Sequence, residues 1–243
     1  MRVNTRTLSC AFLALVLIRI ECAADDPKPR VGKDQERYTI SIALEFSKKN
    51  RSSLVRALSS LVAVTPNAYA TGFVVADGLV MTSYHVVSGQ LSPDKMKRLG
   101  FKPGDTLEVT AYVNGCVAKT VRVDTTADLA LLRVCTQSKQ AKRATFAATP
   151  ESGDQLLVIA HPGDYRMVRR GSFRGPYVFR GYEYWSVRVD GQDGFSGSPV
   201  YDSKGDIVGV FCRYDWKQGI GLLSPATQAQ KLLADYDANP SQP

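Results

Sequence analysis

Three side chains of this chain combine the types, the order and the local settings needed for nucleophilic catalysis. Ser196 lies in "GFSGSP", where glycines on both sides permit a tight bend and a proline closes it. His85 is one of two histidines, and it follows "GLVMTSY", the end of an apolar run where an imidazole must be accounted for. Asp128 stands in "TADLALLRV", at the entrance of another apolar run. A serine hydroxyl is a poor nucleophile until a positioned base takes its proton. The base in turn needs a group that fixes its tautomer and stabilises the imidazolium. Each residue has a plainer reading by itself: a structural histidine, a turn aspartate, a serine in a glycine-rich loop. Together, in the order His, Asp, Ser, they supply base, orienting carboxylate and nucleophile.

The elements that must position them read as β. "TGFVVADGLVMTS" is two apolar strands about Asp77-Gly78, and "TLEVTAYVNGCVAKTVRVD" is two more about Asn114-Gly115; both dipeptides are tight-hairpin signals. "LALLRVC" and "QLLVIAHP" read as strands, "YVFRGYEYWSVRVD" alternates around Gly181, and "GDIVGVFCRY" follows a turn at Ser203 to Gly205. Short strands separated by turn residues indicate a sandwich or barrels. A short helix is expected over 52–61, a helical turn in "LSPDKMKRLGFKPGD", and a terminal helix over 228–236. The polar stretch 136–149 is the best place to divide two halves.

The first 24 residues carry Arg2 and Arg6, then an apolar run from Leu8 to Ile18, then Cys22-Ala23-Ala24. This is the layout of a secretory signal peptide. The apolar run is shorter than the ~20 residues of a membrane span, so no transmembrane anchor is expected after cleavage. Residues 25–51 read as an N-terminal tail, 52–138 as one β unit, and 139–243 as a second with the terminal helix. The whole chain has a formal net charge of +8. Removal of the leader leaves 28 basic against 22 acidic residues. That charge is dispersed, apart from Lys95-Met96-Lys97-Arg98 and Arg169-Arg170, and reads as a solvated basic face. No nucleic-acid fold signature is present, and two histidines with scattered cysteines offer no metal-ligand spacing.

An exported chain meets oxidising conditions, where cysteines pair. Folding the strands on either side of Thr125-Thr126 against each other brings Cys116 opposite Cys135. They are either a disulfide or two small apolar residues. Cys212 is left over as a buried thiol.

On these segments the sequence resembles the chymotrypsin-like serine proteases, and most closely their bacterial HtrA/Deg-like branch. "TGFVVADGLVMTSYHVVSG" is similar to the branch's histidine segment, "TADLALLRV" to its aspartate segment, and "GFSGSPVYDSKGDIVGV" to its nucleophile segment. The resemblance implies an all-β fold of two packed antiparallel β-barrels with the active site between them. It implies a serine endopeptidase acting on polypeptides without a cofactor, with His85 as general base, Asp128 as its orienter and Ser196 as nucleophile. It also implies an oxyanion hole built from the backbone N–H groups of Gly194 and Ser196. The alternative is a catalytically weak or inactive binding protein on the same scaffold.

The chain departs from the family pattern in three places. Ser198 stands where a second glycine is usual. Phe195 stands where zymogen-type enzymes carry an aspartate that pairs with a newly cut N-terminus, so leader removal is expected to suffice for activity. Only 18 residues follow Pro225, too few for the PDZ domain of the HtrA branch. By the same likeness Cys212, Arg213 and Tyr214 form the strand that pairs with substrate. Tyr214 replaces a glycine at the mouth of the pocket for the substrate's first side chain. Asp190 has two readings: the base of that pocket, selecting Arg or Lys, or a structural partner of Arg188 or Arg213. His161, before Pro162, reads as a strand-end residue.

Overall fold

The computed structural model of the chain describes residues 32–49, 66–135, 144–163 and 165–240. The leader (1–24) and the helix expected over 52–61 lie outside the described residues. Twelve strands form two closed antiparallel barrels. The first contains β1 (Thr39–Lys48), β2 (Ala68–Ala76), β3 (Leu79–Ser83), β4 (Leu107–Val113), β5 (Cys116–Asp124) and β6 (Leu129–Arg133), in the spatial order β1-β2-β3-β6-β5-β4. The second contains β7 (Gln155–Ala160), β8 (Met167–Phe179), β9 (Tyr182–Arg188), β10 (Pro199–Tyr201), β11 (Ile207–Asp215) and β12 (Ile220–Pro225), in the order β10-β11-β12-β9-β8-β7. Four helices are present among the described residues: α1 (Lys33–Tyr38), α2 (Tyr84–Val87), α3 (Pro93–Arg98) and α4 (Ala226–Ala238).

The turn signals act as expected. Asn114 and Gly115 both take positive φ, 50° and 78°, between β4 and β5, and Arg180 and Gly181 do so between β8 and β9. Two consecutive left-handed residues match the right-handed twist of the strands they join. The helical turn expected after Ser92 is α3. Its N-terminus is capped by the Ser92 hydroxyl, which accepts from Lys95 N–H, with Pro93 in the first turn.

One boundary differs. Residues 33–48 are not tail: they are α1 and β1, and β1 closes the first barrel by pairing with β2 on one side and β4 on the other. The signal was legible. In "TISIALEFSK" the alternate residues Ile42, Leu44 and Phe46 are buried, the period-2 pattern of a half-buried strand.

The C-terminal helix belongs to both barrels. Ala229, Leu232, Leu233 and Tyr236 of α4 share one core cluster with Phe73, Met81 and Leu131 of the first barrel and with Leu157, Ile207 and Val210 of the second. The connecting segment adds to this union, since Ala144 N–H donates to Val75 O and Ala147 N–H to Ile207 O. Cys116 and Cys135 are joined as a disulfide, and Cys212 is a buried free thiol. No described helix is long and apolar enough to cross a membrane.

Candidate active site

His85 and Asp128 come from adjacent strands of the same barrel. In the β3–β6 pairing Ser83 sits opposite Leu129, so the residues just beyond Ser83 and just before Leu129 meet at one end of the ladder. α2 turns the chain there. Tyr84 N–H donates to Asp128 O, and His85 N–H donates to Asp128 Oδ1 at 2.9 Å. Asp128 adopts a positive φ of 56°, a region aspartate tolerates better than most residues. The turn before it is held by Asp124 Oδ1, which accepts from the N–H groups of Thr126 and Ala127.

Ser196 reaches them from the other barrel, between β9 and β10. Its Oγ lies 2.8 Å from His85 Nε2, and His85 Nδ1 lies 2.9 Å from Asp128 Oδ2. The carboxylate is 4% exposed and the imidazole 30%, so the charge is enclosed while the reacting edge remains open. Both distances are within hydrogen-bond range for a nucleophile–base–orienter series. The structure thus brings together all three residues the sequence singled out.

The loop carrying Ser196 needs two left-handed glycines, Gly194 at φ 92° and Gly197 at φ 86°. A Cβ on Gly197 would collide with Thr71 O and Thr82 Oγ1, and one on Gly194 with Pro162. Phe195 is 1% exposed and packs edge-to-face on Phe211, centroids 5.8 Å apart. The loop is therefore anchored in the core by an apolar side chain at the position where zymogen-type enzymes use an ion pair. Ser198 is fully buried, and its Oγ has no hydrogen-bond partner. Among the described residues neither the Gly194 N–H nor the Ser196 N–H donates to a protein acceptor, whereas Phe195 N–H donates to Gln192 O and Gly197 N–H to Phe211 O.

The flanking strand β11 carries Cys212, Arg213 and Tyr214. Cys212 Sγ donates to Asp128 O at 3.6 Å, and burial, followed by the nearby Asp128 charge, pushes its thiol far up, so it stays neutral. Arg213 Nη2 lies 3.4 Å from Asp128 Oδ2. Burial works against the Arg213 charge, but Asp128, Tyr184 and Cys212 outweigh it and hold its pKa above the ordinary value. Asp190 is exposed, and it pairs with neither Arg188 nor Arg213. Arg213 turns instead to a more buried carboxylate, that of Asp128. The ring of Tyr214 lies on Gly191, where a Cβ would run into it, and stacks edge-on against Trp216 at 4.6 Å. His161 directly follows β7, with Nδ1 2.7 Å from Gly163 O. Among the described residues no group of three metal-ligating side chains occurs.

The sequence reading missed Thr71. It is fully buried, and its neighbours in the fold are 90 and 123 residues away in the chain. No local pattern carries that signal.

Known proteins resemble the chain in sequence and in fold. The serine protease Rv3671c of Mycobacterium tuberculosis is 29% identical over 153 residues, covering 58% of this chain and 34% of that protein. A glutamyl endopeptidase of Staphylococcus epidermidis is 25% identical over 150 residues, covering 58% and 52%. The chain thus spans about a third to a half of the length of these relatives. Among solved structures, the active form of the M. tuberculosis protease superposes with a TM-score of 0.58 at 22% identity, covering 82% of this chain and 81% of that one. The serine endoprotease of Yersinia pestis gives 0.57 at 17% identity, covering 87% and 68%. At such identities these likenesses establish the fold, two chymotrypsin-like barrels. The sequence itself matches the trypsin-like peptidase domain over residues 70–210, more than half of its length and inclusive of His85, Asp128 and Ser196, and the chain belongs to that family.

Proposed function

We propose that the chain is an exported serine endopeptidase that cleaves peptide bonds through an acyl-enzyme. The observation that carries this reading is the continuous series Ser196 Oγ–His85 Nε2–His85 Nδ1–Asp128 Oδ2, with steps of 2.8 and 2.9 Å. His85 Nε2 takes the Ser196 proton as Oγ attacks the carbonyl carbon of the scissile bond. The imidazolium then passes that proton to the leaving amine, and the acyl-enzyme forms. Water repeats the sequence: His85 takes one of its protons as the oxygen attacks the acyl carbon, then passes that proton to Ser196 Oγ as the acid is released. Asp128 remains ionised throughout, holding Nδ1–H and offsetting the positive charge. The N–H groups of Gly194 and Ser196 face the oxygen as it becomes negative; one such donor contributes roughly 3 kcal/mol to the transition state. Nothing in these steps calls for a cofactor.

The packing around Tyr214 supports a preference for small side chains at the residue whose carbonyl is attacked. Its ring spans from Gly191 towards Gly219, where an added Cβ would lie 3.9 Å from the Tyr214 hydroxyl. A large aliphatic, aromatic or basic side chain has to displace it. The exposed Asp190 gives no enclosed charge to reward Arg or Lys. The leader composition and the Cys116–Cys135 disulfide support export, since disulfides persist in oxidising compartments.

A fluorophosphonate probe tests the reading. It should label the wild-type protein on Ser196, leave Ser196→Ala unlabelled, and label His85→Ala at least a hundredfold more slowly. A folded wild type inert to the probe would overturn the reading and leave a binding protein on a protease scaffold.

A further inference from the structure

We infer that Thr71 is a positioning residue for the oxyanion hole: one residue of the first barrel, through its hydroxyl and its backbone N–H, sets the peptide planes of the nucleophile loop in the second. The inference rests on the peptidase reading above and extends it. Thr71 lies on β2 and is fully buried. All four of its polar functions are engaged. Its N–H donates to Ser196 O at 3.0 Å and its hydroxyl to Gly194 O at 2.8 Å. That hydroxyl accepts from His161 N–H at 2.8 Å, and its carbonyl accepts from Thr82 Oγ1 at 2.8 Å.

Two peptide planes of the loop are thereby held at both ends. The Gly194–Phe195 plane has its oxygen on Thr71 Oγ1 and its N–H on Gln192 O. The Ser196–Gly197 plane has its oxygen on Thr71 N–H and its N–H on Phe211 O, at 2.7 Å. Between them stands the Phe195–Ser196 plane. Its oxygen accepts from Ser198 N–H at 2.9 Å, and its N–H is the free donor of Ser196. With both neighbours fixed, that N–H has one direction to point. Gly194, whose N–H is the other free donor, has its own carbonyl fixed by Thr71 and its Cα packed against Pro162.

The direction of the Thr71 hydroxyl is not free either. A hydroxyl has one proton and two lone pairs. The His161 amide occupies a lone pair, so the proton goes to Gly194 O. His161, read from sequence as a strand-end residue, contributes through its backbone rather than its ring. Donors act on a developing oxyanion only when already aimed at it, and a mis-set loop of this kind loses transition-state stabilisation without losing substrate contacts.

The test compares Thr71→Val, Thr71→Ala and Thr71→Ser in the full chain. Each is assayed for hydrolysis of a small-residue peptide p-nitroanilide and for affinity towards the matching peptide boronic acid, whose tetrahedral adduct places an oxygen in the hole. Thr71→Val is close to the native shape and lacks the donor; Thr71→Ala serves the same purpose if the valine variant does not fold. We expect kcat to fall about 10- to 100-fold with KM within about twofold, boronate affinity to fall in parallel with kcat, and Thr71→Ser to restore both to within about threefold. A purely structural role lowers thermal stability and leaves kcat and boronate affinity of the folded fraction unchanged; that result overturns the inference, as does equal loss in the serine variant. A wild type that the fluorophosphonate leaves unlabelled overturns the peptidase reading instead, so the two failures are distinguishable.

Discussion

The two halves of the catalytic series are built by different means. The His85–Asp128 half lies within one barrel, at the shared end of β3 and β6. It is fixed by ladder register, with Ser83 opposite Leu129, and by a second bond from His85 N–H to Asp128 Oδ1. The Ser196 half crosses from one barrel to the other and has no ladder to set it. It depends on a closed set of short polar contacts around Thr71, on two left-handed glycines, and on the buried ring of Phe195. Register tolerates side-chain change at its ends, because backbone bonds carry it. The crossing does not, because single atoms carry it. The first half is therefore expected to fail by loss of chemistry and the second by loss of alignment.

Asp128→Asn attacks the first half. The amide retains the shape, but it favours the wrong imidazole tautomer and leaves Arg213 without its carboxylate partner. We expect kcat/KM to fall by about three to four orders of magnitude with the protein still folded, as read by circular dichroism. Gly197→Ala attacks the second. A Cβ at φ 86° is strained and meets Thr71 O and Thr82 Oγ1. A displacement of the order of 1 Å at the nucleophile corresponds to a loss of about 100-fold. Steady-state kinetics should show that loss chiefly in kcat, with His85 and Asp128 unperturbed in the crystal structure of the variant. Equal tolerance of alanine at position 197 and at an exposed turn would remove the contrast between the halves.

Away from both halves, the Cys116–Cys135 disulfide closes a 19-residue separation beside the first barrel's ladder. Replacing both cysteines with serine should lower unfolding free energy by about 3 kcal/mol, measured in urea, without changing kcat/KM. A loss of activity in the folded variant would mean that ladder register is less independent than the contrast requires. The smallest effect is expected at the rim. Tyr214→Ala frees the space over Gly191 and should raise relative kcat/KM for substrates with a large first side chain about tenfold or less, leaving small ones near the wild-type value. An unchanged preference across Ala, Val, Phe and Arg p-nitroanilides would show that the ring does not decide specificity.

The hairpins and the three reacting residues were legible because their signals are local. Asn114-Gly115 and Asp77-Gly78 announce turns in two residues, and "GFSGSP" announces a strained loop in six. β1 is also written locally, in the alternation of Ile42, Leu44 and Phe46, but the charged segment before it reads as tail. Asp190 kept two readings because an offset of six residues from Ser196 says nothing about enclosure. In the fold it is exposed, and Arg213 pairs with Asp128, where a nearly buried carboxylate offers a stronger electrostatic interaction than a solvated one.

By itself, then, the sequence determined which residue types could react, which turns the chain would take and where the apolar faces of the strands lie. These properties follow from hydrogen-bonding capacity, allowed dihedrals and side-chain alternation over a few residues. The tertiary structure alone decided that Thr71 ties Gly194 and Ser196 to His161, that Arg213 faces Asp128 and that Tyr214 covers Gly191. Such contacts arise where two closed barrels meet. Their partners are set by the packing of whole sheets, which no short stretch of chain encodes.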